Sequence, residues 1–266
     1  MIDAHLHPQM PALDRWMAAG CRAAREVAGV DFWIGNATGP EDWSTLRRLS
    51  RDDEGTMAMY GLHPWKAAEV PEGWQTKLES LLLEDQRAGI GEIGLDRSRR
   101  GIDEKRQESV FRQQLEIAVR LQRPVTLHCV RADGWMSRVL RSLPDLPSSI
   151  LIHGWAGSEE QLEEWIDFGA YLSVSGLALQ PERTRYRKTA VKVPLNRLLI
   201  ESDAPHHFGV PEGEVFNEAD RLASSYAFWM RATYVGLARL REISFESLIK
   251  ITNQNLGRFL SLPEAD

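Results

Sequence analysis

The chain has 266 residues, 43% of them hydrophobic and 26% charged, with a formal net charge of −6. A core of that size needs no disulfide or structural metal to hold it, and two cysteines, Cys21 and Cys129, imply no disulfide framework. The negative balance excludes a protein whose whole surface binds polyanions but leaves room for a local basic mouth.

There is no secretory h-region, lipidation signal or apolar run near the ~18 residues a membrane span needs. A cytoplasmic protein without membrane contact is expected. In chain order, short apolar runs alternate with longer amphipathic stretches. Strands are predicted at 2–5, 30–35, 56–61, 89–94, 124–128, 149–153, 170–174 and 197–201. A helix is predicted over 106–121, where Val110, Phe111, Leu115, Ala118, Val119 and Leu121 keep close to a helical period. Ser158 followed by Gln161 reads as a capping box, with Gly169 as the stop of the helix it opens. Long helices are predicted at 217–240 and 244–260. Strands alternating with helices in this number imply parallel βαβ units. At this length they fit a closed (β/α)8 TIM barrel, α/β in class, as one domain over 1–266. A doubly wound open sheet is the runner-up, but no GxGxxG opens a helix.

In IDAHLH, strand alternation puts Asp3, His5 and His7 on one face and Ile2, Ala4 and Leu6 on the other. His5 and His7 then point the same way at a strand's C-terminal end. His128 closes the fifth predicted strand and His153 the sixth, Glu92 lies in the fourth, Asp203 just past the eighth, and His63 follows the third. A barrel gathers the C-terminal ends of its strands at one face, so residues far apart in sequence converge there. Imidazole and carboxylate are ligands for Zn²⁺, Mn²⁺ and related ions. Four histidines, a glutamate and an aspartate suit two ions sharing a carboxylate, a device for activating water and stabilising the leaving oxygen of a phosphoryl transfer. Glu92 shares its parity with Ile90, Gly94 and Asp96. Gly91 and Gly94 beside it either let other groups approach or relieve crowding in the barrel. Glu201 and Asp203 share a face, and parity does not choose between them as ligand. Cys129 faces away from His128 and reads as packing.

These segments in order, IDAHLH, GLHPW, GEIGLD, FRQQLEIA, RPVTLHC, IHGWAGS, ESDAP and ITNQN, resemble the TatD-family metal-dependent hydrolases, often described as TatD DNases. The resemblance covers nearly the whole chain. It implies a TIM barrel and hydrolysis of phosphodiester bonds in DNA, commonly from an end. It implies that His5, His7 and Asp203 hold one divalent ion (Zn²⁺, Mg²⁺ or Mn²⁺). His128 and His153 hold a second, with Glu92 bridging. Asp203 is implied as general base, and His63 as a contact to the scissile phosphate or an aid to the leaving group.

The departures lie beside the implied substrate pocket. HCVR stands where many members have HSR, which moves the arginine to Arg131 as the candidate phosphate contact. HGWAGS stands where HCFSG is usual, and His206 and His207 replace an apolar-aromatic pair; both read as loop histidines. Basic clusters at 97–106 and 183–192 follow strands and either meet a phosphate backbone or form solvated helix faces. Trp65 and Trp155 follow His63 and His153 and either stack on bases or wall the pocket. Nucleic acid is the expected substrate and no obligate protein partner is implied. Competing readings are an amidohydrolase-like enzyme for a small ester, amide or organophosphate, and a catalytically silent metal-binding barrel. Deletion through His7 is expected to abolish metal binding, read by metal analysis of the purified protein.

Overall fold

The computed structural model describes residues 1–10, 13, 20–206 and 218–261, without the side chains of 218–225. The strands are β1 (Ile2–Leu6), β2 (Phe32–Asn36), β3 (Thr56–Met59), β4 (Ile90–Asp96), β5 (Val125–Val130), β6 (Ile150–Ile152), β7 (Tyr171–Val174) and β8 (Leu198–Ile200). Each falls within about two residues of its predicted run. The helices are α1 (Cys21–Val27), α2 (Trp43–Asp52), α3 (Trp74–Glu84), α4 (Glu104–Arg120), α5 (Asp133–Arg141), α6 (Glu159–Asp167), α7 (Thr184–Lys192), α8 (Glu218–Leu240) and α9 (Phe245–Phe259). The predicted capping box of Ser158 and Gln161 opens α6.

All strand pairs are parallel, β1-β2-β3 in one run and β4 through β8 in a second. Backbone bonds join the runs into a barrel. Tyr60 N–H donates to Gly89 O (3.0 Å) and Gly89 N–H to Ala58 O (3.1 Å) at one seam. At the other, Asp203 N–H donates to His5 O (2.9 Å) and His7 N–H to Ala204 O (2.8 Å). Chain ends fray unless tied down; here the first strand is a seam strand, held by β2 on one side and the segment just past β8 on the other.

Two apolar layers follow from strand alternation. Ile2, Ala4, Ile34, Met57, Met59, Leu151, Tyr171 and Leu199 fill the barrel with Leu256 and Phe259 of α9. The ring of Phe259 meets Tyr171 at the start of β7, so α9 stops the N-terminal end. Trp33, Tyr60, Ile93, Leu127, Ile152 and Ile200 pack outward against the helices.

The alternation breaks twice, and both breaks correct the sequence reading. Pairing of β1 with β2 slips between Asp3 and Leu6. Asp3 therefore does not share a face with His5. It points outward and accepts from Tyr226 in α8 (2.7 Å) and from Ser202 Oγ (2.6 Å), while Ala4 and His5 both turn inward. The pairing of β4 with β5 slips between Ile90 and Ile93, so Ile90 packs outward and Gly91 and Glu92 both face the barrel. An extra residue in a strand is a bulge, a device for re-aiming a side chain. Glycine is needed beside the second slip: a Cβ on Gly91 would lie 2.8 Å from Asn36 Oδ1, and one on Gly94 2.0 Å from the carbonyl oxygen of His128.

Away from the barrel mouth, one buried ion pair ties α1 to the β2–β3 region. Arg25 grips Asp53 through two bonds (3.0 and 3.1 Å) and also donates to Val30 O. Burial alone would raise the Asp53 pKa, but Arg25 and Thr56 outweigh it and hold it below its ordinary value. Asp53→Asn leaves a buried guanidinium without its counter-charge and is expected to cost about 3–5 kcal/mol in urea unfolding at neutral pH. A carboxylate whose folded pKa is depressed stabilises above its unfolded pKa and loses that contribution as pH falls through the folded one. The gap between wild type and Asp53→Asn should therefore narrow on acidification.

Candidate metal centre

The described strands deliver their polar residues to one point at the C-terminal face. Glu92 stands at the centre of them, beside five histidines. It is 3% exposed, and its two carboxylate oxygens face different partners. Oε2 lies 3.4 Å from Nε2 of both His5 and His7. Oε1 lies 2.6 Å from His128 Nδ1, 2.8 Å from His153 Nε2 and 3.5 Å from His63 Nε2. Asp203 Oδ1 stands 3.6 Å from Nε2 of His5 and of His7. Among the described residues, three groups bring donor atoms within 4.8 Å of one another: His5, His7 and Asp203; His5, Glu92 and His153; and His63, Glu92 and His128.

Hydrogen bonds behind these rings fix what each presents. His7 Nδ1 meets the carbonyl oxygen of Asn36 at 2.8 Å. A carbonyl only accepts, so Nδ1 carries a proton and the neutral ring turns the Nε2 lone pair towards Asp203 and Glu92. Lone pair facing carboxylate is repulsive unless a second proton on Nε2 or a metal ion lies between them, and imidazole nitrogens gathered with carboxylate oxygens are a donor set that fits a metal ion. His63 is the opposite case. Trp65 N–H donates to its Nδ1 (3.2 Å), so the neutral ring carries its proton on Nε2 and acts as a donor there. His153 stacks on His5 (3.9 Å between centroids, 10° between planes). Its Nδ1 is 3.9 Å from Glu201 Oε1, so Glu201 stands behind a histidine while Asp203 faces the donor set.

The electrostatics match. Burial would raise the Glu92 pKa, but the surrounding histidines, His153 first, outweigh it and hold the carboxyl well below its ordinary range. Burial would lower His7, His128 and His153, yet all three are raised: His7 by Asp203 and Glu92, His128 by Glu92 and Asp96, His153 by Glu92 and Glu201. His63 is pushed down to about 4, chiefly by burial.

The predicted substrate contacts divide. Trp65 stands at the rim, 46% exposed, with the Arg99 guanidinium 3.4 Å over its ring centroid. Trp155 is buried, donates to Asp133 (3.2 Å) and has Gly157 packed against its ring, so it walls the pocket and offers no open face. Arg131 is exposed at the end of β5 with a left-handed backbone (φ 54°) and stands outside the donor set. The His206 ring lies 5.4 Å from that of His7; His207 lies outside the described residues. In the first basic cluster Arg97 pairs with Glu104 (2.8 Å) and Arg106 donates to Ala67 O. In the second, Lys192 pairs with Glu159, while Arg183, just before α7, and Arg185, Arg187 and Lys188 along it are exposed.

Four supporting residues carried no signal of their role in the sequence: Asn36, Asp96, Gln107 and Gln114. The two glutamines sit two turns apart on α4. Gln114 takes both backbone groups of Leu62 (2.7 and 3.2 Å) and so fixes the residue before His63. FRQQLEIA contains Gln114, but only the folded chain reveals what it grips. A cavity of 1240 Å³ lined in part by Arg87, Arg123 and Phe259 opens at the opposite end of the barrel and contains none of the donor residues.

A parallel α/β barrel with histidines and carboxylates gathered at its C-terminal rim defines a hydrolase of the metal-dependent barrel class. The family model for TatD-related DNases matches residues 2–261, and the chain belongs to that family. It is 31% identical over 207 residues to the metal-dependent hydrolase YjjV of Escherichia coli strain K12, covering 77% of this chain and 79% of that protein. It is 32% identical over 186 residues to the 3'-5' ssDNA/RNA exonuclease TatD of Cronobacter sakazakii, covering 69% and 70%. The crystal structure of YjjV superposes with a TM-score of 0.83 at 26% identity, over 99% of this chain and 98% of that one. A TatD-family hydrolase from Entamoeba histolytica shares the fold at a TM-score of 0.79 and 17% identity, over 97% of each chain. No helix among the described residues is long and apolar enough to cross a membrane.

Proposed function

We propose that the chain is a metal-dependent nuclease that trims ends of single-stranded nucleic acid, DNA foremost, using two divalent ions. The observation that carries this reading is Glu92, whose two oxygens address two different sets of donors. His5, His7 and Asp203 would hold one ion and His128 and His153 the other, with Glu92 shared. Ions bound there supply Lewis-acid polarisation of a phosphate and a lowered pKa for an attacking water.

The chain's own groups do the rest. Asp203 Oδ1 accepts the proton of the attacking water. His63 donates from Nε2 to a phosphate or leaving oxygen, since its Nδ1 is occupied by Trp65 N–H. The exposed Trp65, with Arg99 over it, offers an aromatic face and a positive charge to the next nucleotide. The relatives named as exonucleases support the substrate class. Single-stranded DNA, duplex DNA, RNA, a small phosphodiester, a lactone and an amide, each incubated with protein and Mg²⁺, Mn²⁺ or Zn²⁺, test it. Stepwise shortening of end-labelled single strands is expected. Hydrolysis of the lactone or amide with no cleavage of nucleic acid would overturn the proposal.

Metal uptake should also report the raised histidines. Ligands must lose their protons to bind, and His7, His128 and His153 hold theirs to higher pH than a free imidazole. Affinity should weaken as pH falls through their raised pKa values and strengthen as it rises through them. Calorimetry in two buffers of different ionisation heat should show proton release near neutral pH.

A further inference from the structure

Asp96, the last residue of β4, lies outside the proposed ligand set and is fully buried. Its Oδ2 accepts from the Trp65 indole N–H (2.6 Å) and lies 3.1 Å from His128 Nε2. Its Oδ1 accepts from Ser98 N–H. Its backbone is gripped from both sides by Gln107 of α4: Asp96 N–H donates to Oε1 (3.0 Å) and Asp96 O accepts from Nε2 (3.2 Å). An amide that takes both backbone groups of one residue holds it as a neighbouring strand would. Asp96 is thus a fixed post joining two rings, one in the buried donor set and one exposed at the rim.

His128 turns its other nitrogen, Nδ1, to Glu92. A carboxylate that takes one imidazole N–H sets the ring's rotation and tautomer and strengthens the opposite nitrogen as a donor. Trp65 N–H shares the same oxygen and restrains it from the solvent side.

We propose that Asp96 is the positioning residue for His128 and that Trp65 is the second anchor of that carboxylate, so the rim indole is mechanically tied to the metal-binding set. This rests on the reading of that set as a metal centre. Zn²⁺ or Mn²⁺ titrated calorimetrically into metal-free full-length protein tests it, with wild type, Asp96→Asn and Trp65→Phe side by side. Phenylalanine keeps an aromatic ring and loses the N–H.

Asp96→Asn should weaken one class of site by about 10–100-fold, the range for losing such a partner, and leave the other class unchanged. Trp65→Phe should weaken the same class by a smaller factor. A residue that merely supported the fold would move both classes together. If Asp96→Asn does not fold, Trp65→Phe decides alone. A wild-type isotherm in Trp65→Phe overturns the proposal while the metal reading stands. A wild-type protein that takes up neither ion overturns both.

Discussion

Glu92→Gln is expected to abolish shared metal uptake and to lower kcat/KM by about 10³-fold or more, since several kcal/mol of transition-state stabilisation rest on the ions it would hold. The side chain keeps its volume, so the barrel has no cavity to absorb. What changes is charge and symmetry. A carboxylate serves His5 and His7 with one oxygen and His128 and His153 with the other. An amide has a single acceptor oxygen and must aim its NH₂ at the second set, where it opposes donors or a cation. The carboxylate also supports the raised pKa values of His7, His128 and His153. Without it those rings should titrate lower, a shift that NMR of the imidazole protons would read in metal-free protein. Metal analysis and single-strand cleavage complete the test. Unchanged metal-dependent activity in Glu92→Gln would remove the centre from the mechanism.

The barrel was legible because its signals are local. Eight apolar runs, each bounded by polar or glycine-rich residues, sit close to the observed strands, and Ser158 and Gln161 cap α6 as the spacing predicts. The convergence of His5, His7, His128, His153 and Asp203 then follows from topology, since each stands in or just beyond the C-terminal half of a strand, while Glu92, nearer the start of β4, is turned to the same point where the register of that strand slips. Alternation within strands was less reliable. It placed Asp3 with His5 and Ile90 with Glu92, and both pairings fail because bulges in β1 and β4 insert one residue. A bulge is a property of two strands in register, and neither strand's sequence announces it. The residues that orient the donors were illegible for the same reason. Asn36 acts through its carbonyl, which every residue possesses. Gln107 and Gln114 on α4 look like ordinary polar positions until their backbone partners are in place. Trp65 and Trp155 occupy comparable positions after strand-end histidines, yet only the burial of the second separates a rim face from a wall.

Asp203→Asn is expected to lower kcat by about 10²–10⁴-fold, the usual contribution of a positioned general base, with a smaller change in KM. The substitution is conformationally clean. Asp203 has a left-handed backbone (φ 54°), a region asparagine enters more readily than most residues. Its N–H to His5 O bond, which closes the barrel seam, belongs to the backbone and survives. The thermal midpoint should therefore stay near wild type while turnover collapses. Glu201 cannot substitute: it accepts from Ser173 and stands behind His153, at the Nδ1 edge of that ring. The pH profile separates base from ligand. If Asp203 acts as the proton acceptor, raising the pH should recover part of the lost rate, because hydroxide then needs no acceptor. If it serves only as a ligand, excess metal should restore the rate instead and pH should not. Full activity in Asp203→Asn without either rescue would remove the aspartate from both roles.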